Sequence, residues 1–376
     1  MNNCPLSKVE QNNTTLIALR AEAEARKLEN RTGITLADPE VGYKHMWEGA
    51  EQSGNLSEFT VSQSFDLATV MGHRTRVARQ QNMLVDEDYR MARMEILLDA
   101  QLTLIDLAYY NALYAELERR LGHARRVAEV EHRRLECGDT DALSYNNVLL
   151  SLSSLEAEQA RVATERNVLI ARLTALNGGV TLDNLESLDA LESLDNLDNL
   201  DFSSWYAEAE AHLPQLAQAR QLSQVRSSEL SLAKASHLPT LSATYVHERH
   251  TIGDRSQGVA VGMSLPLWSN KNRVRSARTA LEAAEAYEAD AELQMRSAYE
   301  QEFARVKGLH HTASLYRRTL NEANNTALLE KAMDEGFISV LEYLQGIELY
   351  YDYLDRSLSA DRDYHRALAT LEAWKL

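Results

Sequence analysis

The stretch FTVSQSFDL, Phe59 to Leu67, returns as VAVGMSLPL, Val259 to Leu267, 200 positions further along a chain of 376 residues. Each alternates large or apolar residues with small or polar ones. Side chains of an extended strand point alternately to its two sides, so both stretches describe a strand with unlike faces. In the second copy Val259, Val261, Met263 and Leu265 share one face, and Ala260, Gly262 and Ser264 the other. In the first, Phe59, Val61 and Phe65 oppose Thr60, Ser62, Ser64 and Asp66, with Gln63 the exception.

The likeness extends well beyond these strands. Leu16, Arg20 and Pro39 match Leu216, Arg220 and Pro239 at the same offset. After a one-residue slip HRTRVAR matches NRVRSAR, setting Arg74, Arg76, Ala78 and Arg79 against Arg273, Arg275, Ala277 and Arg278. GDTDALSY, from Gly138, matches GFISVLEY, from Gly336. The unit duplicated is nearly 200 residues long, far beyond the period of a solenoid.

Each half reads helix, hairpin, long helix, tight turn, long helix. TTLIALRAEAEARKLEN, Thr14 to Asn30, is made of strong helix formers, and Asp38-Pro39 bars its continuation. Strands are expected at about 40–49 and 57–67, then at about 240–249 and 257–267. Val41, Tyr43, His45 and Trp47 share one face of the first. Long helices are expected at about 68–136, 141–177, 270–333 and 338–374. No proline falls between Pro39 and Pro214, and the run from about Ala68 to Leu135 alone makes roughly 100 Å of helix. Val148, Leu152, Leu155, Gln159, Val162, Arg166, Leu169, Leu173 and Leu176 step by fours and threes, a coiled-coil seam with two polar interruptions. Val340, Leu344, Ile347, Tyr351, Leu354 and Leu358 keep the same rhythm. Gly138 and Gly336 suit the left-handed residue that ends a helix.

Composition narrows the function. A formal net charge of −17 and the scarcity of basic runs argue against nucleic acid as partner. Two cysteines, Cys4 and Cys137, give neither a disulfide framework nor a metal site. His247 and His250 fall on opposite strand faces and His310 and His311 are adjacent, so neither pair is spaced for one metal. No GxSxG, phosphate-cradling glycine loop or carboxylate motif supports catalysis or a cofactor. No run reaches the length of a membrane-spanning helix. The opening MNNCPLSKVEQNN has neither the positive nor the apolar region of a signal peptide, which leaves a cytoplasmic protein or a missing true N-terminus. Strands with one apolar and one small, polar face suit a soluble sheet on a core, and equally a membrane barrel with lipid outside and a lumen within.

DPEVGY before the first strand, SQSF and MSLPLW at the ends of the returning strands, and the paired G…L.Y turns occur in order and twice over. In this the chain resembles the TolC-type outer-membrane factor family of tripartite efflux systems over nearly its whole length. The resemblance implies a mainly α fold with a small β part: a homotrimer whose long coiled-coil helices form an α-barrel, each chain adding four strands to one shared twelve-stranded transmembrane barrel. It implies a passive exit duct in outer-membrane lipid, coupled by a periplasmic adaptor to an inner-membrane transporter. Independently, four strands are too few to close a barrel, whose smallest single-chain form has eight. The two repeats are expected over 1–200 and 203–376. The alternatives are a soluble coiled-coil scaffold and a truncated, non-exported relic of such a duct.

By the same resemblance, the turns lie at the periplasmic tip, with Gly138, Asp139, Leu143, Gly336, Phe337 and Leu341 as adaptor-docking residues. Asp141, Asp334, Glu335 and Glu342 are the aperture candidates, and Gln345 stands where the family's pattern has a further acid. Acids at helix starts also serve simply as caps. Val259, Val261, Met263 and Leu265 are the expected lipid-facing residues. Between the repeats, over about 180–202, leucine recurs every third residue from Leu182 to Leu200, each followed by an acid. A period of three drifts about 60° per step around a helix. The segment reads as a loosely packed low-complexity linker or as an acidic collar that gathers cations or binds a partner, and the family places an equatorial belt there.

Overall fold

The computed structural model describes residues 5–47, 55–183, 185, 201–250, 255–266, 268, 270–323 and 325–376. The last two positions of the first expected strand, 48–49, lie outside the described residues, as do Leu267 and residues 184 and 186–200 of the leucine-acid repeat. The elements run α1 (Pro5–Asn12), α2 (Thr14–Glu29), β1 (Glu40–Met46), β2 (Leu56–Phe65), α3 (Ala68–Cys137), α4 (Ala142–Leu176), α5 (Phe202–Glu210), α6 (Pro214–Ala235), β3 (Thr240–His250), β4 (Arg255–Ser264), α7 (Arg273–Glu322), α8 (Thr326–Asp334) and α9 (Val340–Leu371). The helix expected over about 270–333 is divided at 323–325 into α7 and α8. The sequence between them is Ala-Asn-Asn, and asparagine is a weak helix former; the Asn325 side chain makes no capping bond.

Two compact units form, and neither is a sequence half. One comprises Leu19–Met91 and Leu213–Met295, the other Met1–Ala18, Ala92–His212 and Arg296–Leu376. Each draws on both halves of the chain.

The first unit carries the sheet. Its four strands lie antiparallel in the order β1-β2-β3-β4, so the two hairpins join through the pairing of β2 with β3. The register sets Val41 opposite Val61, Val61 opposite Tyr245, and Tyr245 opposite Val259. On the same face, beyond the row Gln63, Ala243 and Val261, Phe65, Leu241 and Met263 form another such row. Directly paired residues share a face, and this one is apolar. Ser62, Thr244 and Ala260, then Ser64, Ser242 and Gly262, make up the other. The apolar face has no core beneath it: Val259 is 75% exposed and Val261 80%, with Val41, Tyr43, Met263 and Leu265 also exposed. Elsewhere in this unit, α2 is tied to α3 by Lys27 to Asp86 at 2.6 Å, and α6 to α3 by Gln218 to Asp88 at 2.7 Å.

The second unit is built on α3. Three apolar clusters follow one another along this helix, and the expected α4 seam is distributed among them. Leu169, Leu173 and Leu176 pack with Val9, Leu97, Ala100 and Leu107. Leu155 and Val162 pack with Leu113 and Leu117. Val148 and Leu152 pack with Val127, Ala128, Tyr343 and Ile347. Arg166, a polar interruption of the seam, has a definite place: its Nε donates to Asn111 Oδ1 at 2.8 Å and its guanidinium lies over the Tyr114 ring. Asn111 Nδ2 in turn donates to the Leu185 carbonyl at 2.8 Å. Leu182 and Leu185, the first leucines of the acidic repeat, are buried in the first cluster, so the start of that segment is packed rather than loose.

The exposed apolar face yields a directional prediction. If lipid covers it, Val261→Arg should destabilise the membrane-inserted protein by about 2–4 kcal/mol, whereas Ala260→Arg, one position along on the other face, should leave stability nearly unchanged. Urea titration of both variants in lipid vesicles measures the difference; equal effects would exclude a lipid-facing sheet side.

Candidate functional site

Both tight turns belong to the second unit and share one construction. After α3, Gly138 takes φ +77°, and after α8 Gly336 takes φ +74°. The Asp139 amide donates to the Arg134 carbonyl at 2.8 Å and the Gly138 amide to Leu135 at 3.1 Å. In the second turn, Phe337 donates to Ala332 at 2.8 Å and Gly336 to Met333 at 3.0 Å. This paired pattern closes a helix when a residue just beyond its end is left-handed. A Cβ added at either glycine would meet nothing within 4 Å, so backbone conformation alone sets the preference for glycine.

Three residues after each glycine comes the capping residue of the next helix, Asp141 and then Ser339. Asp141 accepts from the Ser144 amide at 2.8 Å. Ser339 Oγ accepts from the Glu342 amide at 3.2 Å while Glu342 Oε2 accepts from the Ser339 amide at 2.8 Å, a reciprocal capping box. Two of the four aperture candidates are therefore engaged as helix caps. Hydrogen bonds to their charged forms hold both carboxyls below the ordinary carboxylate range, chiefly from the Ser144 amide for Asp141 and the Ser339 amide for Glu342. Glu335 pairs with Lys331 at 3.7 Å.

The second unit brings the turns together around a cavity of about 730 Å³. Thr140 and Ser144 line it from the first turn, and Asp334, Gly336, Phe337 and Leu341 from the second. All ten residues expected at the tip are exposed: Gly138, Asp139, Asp141, Leu143, Asp334, Glu335, Gly336, Phe337, Leu341 and Glu342. Three are large and apolar, with Phe337 77%, Leu143 71% and Leu341 51% exposed.

Behind this surface lie groups that sequence reasoning missed. Tyr343 is buried, its hydroxyl hydrogen-bonded to His123 of α3, and desolvation raises its pKa. Glu131 is buried too, one oxygen paired with Arg134 at 2.7 Å and the other without a hydrogen-bond partner. Higher along α3, Arg120 is buried between Glu116 at 3.2 Å and Asp355 at 2.7 Å, under the Tyr351 ring. Only Tyr343 carried a signal, as the tyrosine of the G…L.Y pattern. Among the described residues no group of three or more His, Cys, Asp or Glu is placed to hold a metal ion, and no helix is long and apolar enough to cross a membrane.

The caps make the turns acid-sensitive. Because the folded pKa values of Asp141 and Glu342 are depressed, their stabilising effect is complete above the unfolded values, about 4, and is lost as pH falls through the folded ones. Hydrogen exchange at the Ser144 and Ser339 amides should therefore remain slow at pH 7 and accelerate, relative to intrinsic rates, in acid. Asp141→Asn should keep the cap at Ser144 but abolish its pH dependence, and Ser339→Ala should cost about 1 kcal/mol. Unchanged protection of the Glu342 amide, which donates to the Ser339 hydroxyl, in that variant would refute the capping assignment.

Comparison with known proteins points one way. The sequence model described as Outer membrane efflux protein matches residues 205–374. No curated protein matches the chain significantly in sequence. Among solved structures, the CmeC outer membrane channel of Campylobacter jejuni is similar with a TM-score of 0.79 at 12% identity, over 98% of this chain and 84% of that one. The open state of the MtrE outer membrane channel of Neisseria gonorrhoeae gives 0.75 at 14% identity, over 98% and 87%. The outer membrane protein VceC of Vibrio cholerae gives 0.72 at 15% identity, over 99% and 92%. The chain thus matches the outer membrane efflux protein model over most of its second half and has, along nearly its entire length, the fold of the TolC-type outer-membrane channels.

Proposed function

We propose that this protein is the outer-membrane exit duct of a tripartite efflux pump, a passive channel that passes small molecules or ions from the periplasm to the exterior. The carrying observation is the sheet: four strands with two open edges and an exposed apolar face. Such a sheet needs lipid on that face and further strands at its edges, because backbone groups in a bilayer must be paired. Three copies, giving twelve strands, are the assembly we propose, with the duplicated repeats 1–200 and 203–376 as its building units. Val259, Val261, Met263 and Leu265 face lipid, the long helices stand in the periplasm, and an inner-membrane transporter supplies the energy. The chain performs no catalytic step and requires no cofactor. A soluble scaffold would have to cover the same apolar face with some other partner.

The helical tip is the docking surface for a periplasmic adaptor. Leu143, Phe337 and Leu341 offer apolar contact there, and Gly138, Asp139 and Gly336 fix the shape of the turns. Asp334 and Glu335, with the capping acids Asp141 and Glu342, give the aperture its charge. Replacing Gly138 and Gly336 by valine should strain each turn by about 1–2 kcal/mol. Membrane insertion and trimer yield should survive, while efflux and adaptor capture should fail. Full efflux by the double variant would place the adaptor elsewhere, and a well-folded monomer in detergent-free buffer would refute the duct itself.

A further inference from the structure

The arginines repeated after each hairpin have no part in the channel as described so far. Leu67 to Val85 contains Arg74, Arg76 and Arg79 and no acid, and Leu265 to Leu281 contains Lys271, Arg273, Arg275 and Arg278 and no acid. Acid-free basic stretches are conspicuous in a chain of net charge −17. Both fall where a strand of the sheet gives way to a helix, and both lie within the unit that carries the sheet.

The members of each set are used differently. Arg74 binds Asp66 at 2.5 Å, fixing α3 to the end of β2, and Arg273 donates to Asn270 at 3.4 Å. Arg76, Arg79, Arg275 and Arg278 are exposed and make no ion pair or hydrogen bond with a described residue. Within each pair the spacing is three, so Arg76 and Arg79 share one side of α3, and Arg275 and Arg278 one side of α7. Arginines of the helical unit are commonly neutralised instead, as Arg125, Arg133, Arg161 and Arg172 are by Glu156, Glu129, Glu158 and Asp99.

What precedes them along the chain indicates the partner. In β4 Val259, Val261 and Met263 share the apolar face and are exposed, Leu265 continues the exposed apolar residues, Trp268 follows at 82% exposure, and the arginines come next. Apolar wall, then an indole, then cationic side chains is the order met on passing from hydrocarbon through the interface to the headgroups. Arginine is suited to this position because its long stem lies along apolar surface while its guanidinium reaches phosphate with paired donors.

We propose that Arg76, Arg79, Arg275 and Arg278 form a binding belt for anionic phospholipid headgroups at the membrane leaflet nearest the helices. The inference rests on the outer-membrane reading and extends it by a lipid preference. Duplication supplies two copies of the belt per chain, and each further copy of the chain adds two more.

The test uses the full-length protein and its R76Q/R79Q/R275Q/R278Q variant, each equilibrated in mild detergent with equal amounts of phosphatidylcholine and phosphatidylglycerol. Lipid retained after gel filtration is then measured by mass spectrometry. The unmodified protein should retain phosphatidylglycerol in excess, by on the order of fivefold for each arginine that meets a headgroup, and the excess should shrink as salt is raised. The variant should assemble and insert normally yet lose most of the excess. Equal retention of both lipids by the unmodified protein, or an undiminished excess in the variant, would overturn the belt while leaving the duct standing. A variant that falls to monomers would also overturn it, by assigning these arginines to contacts between chains. Failure of the unmodified protein to insert in any bilayer would remove the reading on which the belt rests.

Discussion

Unpaired backbone at the outer edges of β1 and β4 is the constraint from which the rest follows. A sheet of four strands closes neither its hydrogen bonds nor its faces, and β4 is exposed at every residue from Arg255 to Ser264. In water, an apolar and unprotected edge of this kind invites aggregation. In lipid it cannot be tolerated without neighbouring strands. The small residues opposite the apolar row, among them Ser62, Thr244, Ala260 and Gly262, have the character of a wall facing water. The sheet is thus incomplete by itself, and in the proposed assembly each chain would contribute two hairpins to a wall that only further copies can close.

The helical unit solves a different problem, holding a very long helix in a single arrangement. Apolar clusters along α3 supply most of the burial, but apolar seams slide readily by whole turns. Buried or half-buried polar contacts fix the register. Arg120 with Glu116 and Asp355, Arg166 with Asn111 and Tyr114, and Arg362 over Tyr109 each join α3 to a residue of its own turn or of α4 or α9. Shifting the buried Arg120 would leave a desolvated charge, which costs several kcal/mol. Specificity of alignment is the role these charges fill, and it places the two turns side by side at the tip.

Much of this was legible in the sequence because it is periodic. Alternation from Val259 to Met263 identified the exposed apolar face, the three-and-four spacing from Val148 to Leu176 identified the α4 seam, and Gly138 and Gly336 marked the turns. What escaped was whatever depends on three-dimensional context. Nothing in the order of residues separates Arg120 and Glu131, which are buried, from Arg119 and Glu129, which are not. For Asp141 and Glu342 the sequence allows an aperture or a cap, and the geometry of the turns shows that both cap helices. Leu182 and Leu185 stand in a three-residue repeat that fits no helical face, yet both enter the core, because burial is decided by the neighbouring α1, α3 and α4.

The central claim is that the open edges of the sheet meet those of other copies. It is tested most directly by thiol cross-linking between an edge residue of β1 and one of β4 in native membranes. Tyr43→Cys and Val261→Cys, combined in a chain whose own Cys4 and Cys137 are replaced by serine, place one thiol on each outer strand. A short bifunctional reagent should yield a ladder of linked chains ending at the trimer, and either single cysteine alone should yield none. Linked species absent from the double variant, together with a stable folded monomer in aqueous buffer, would contradict the account.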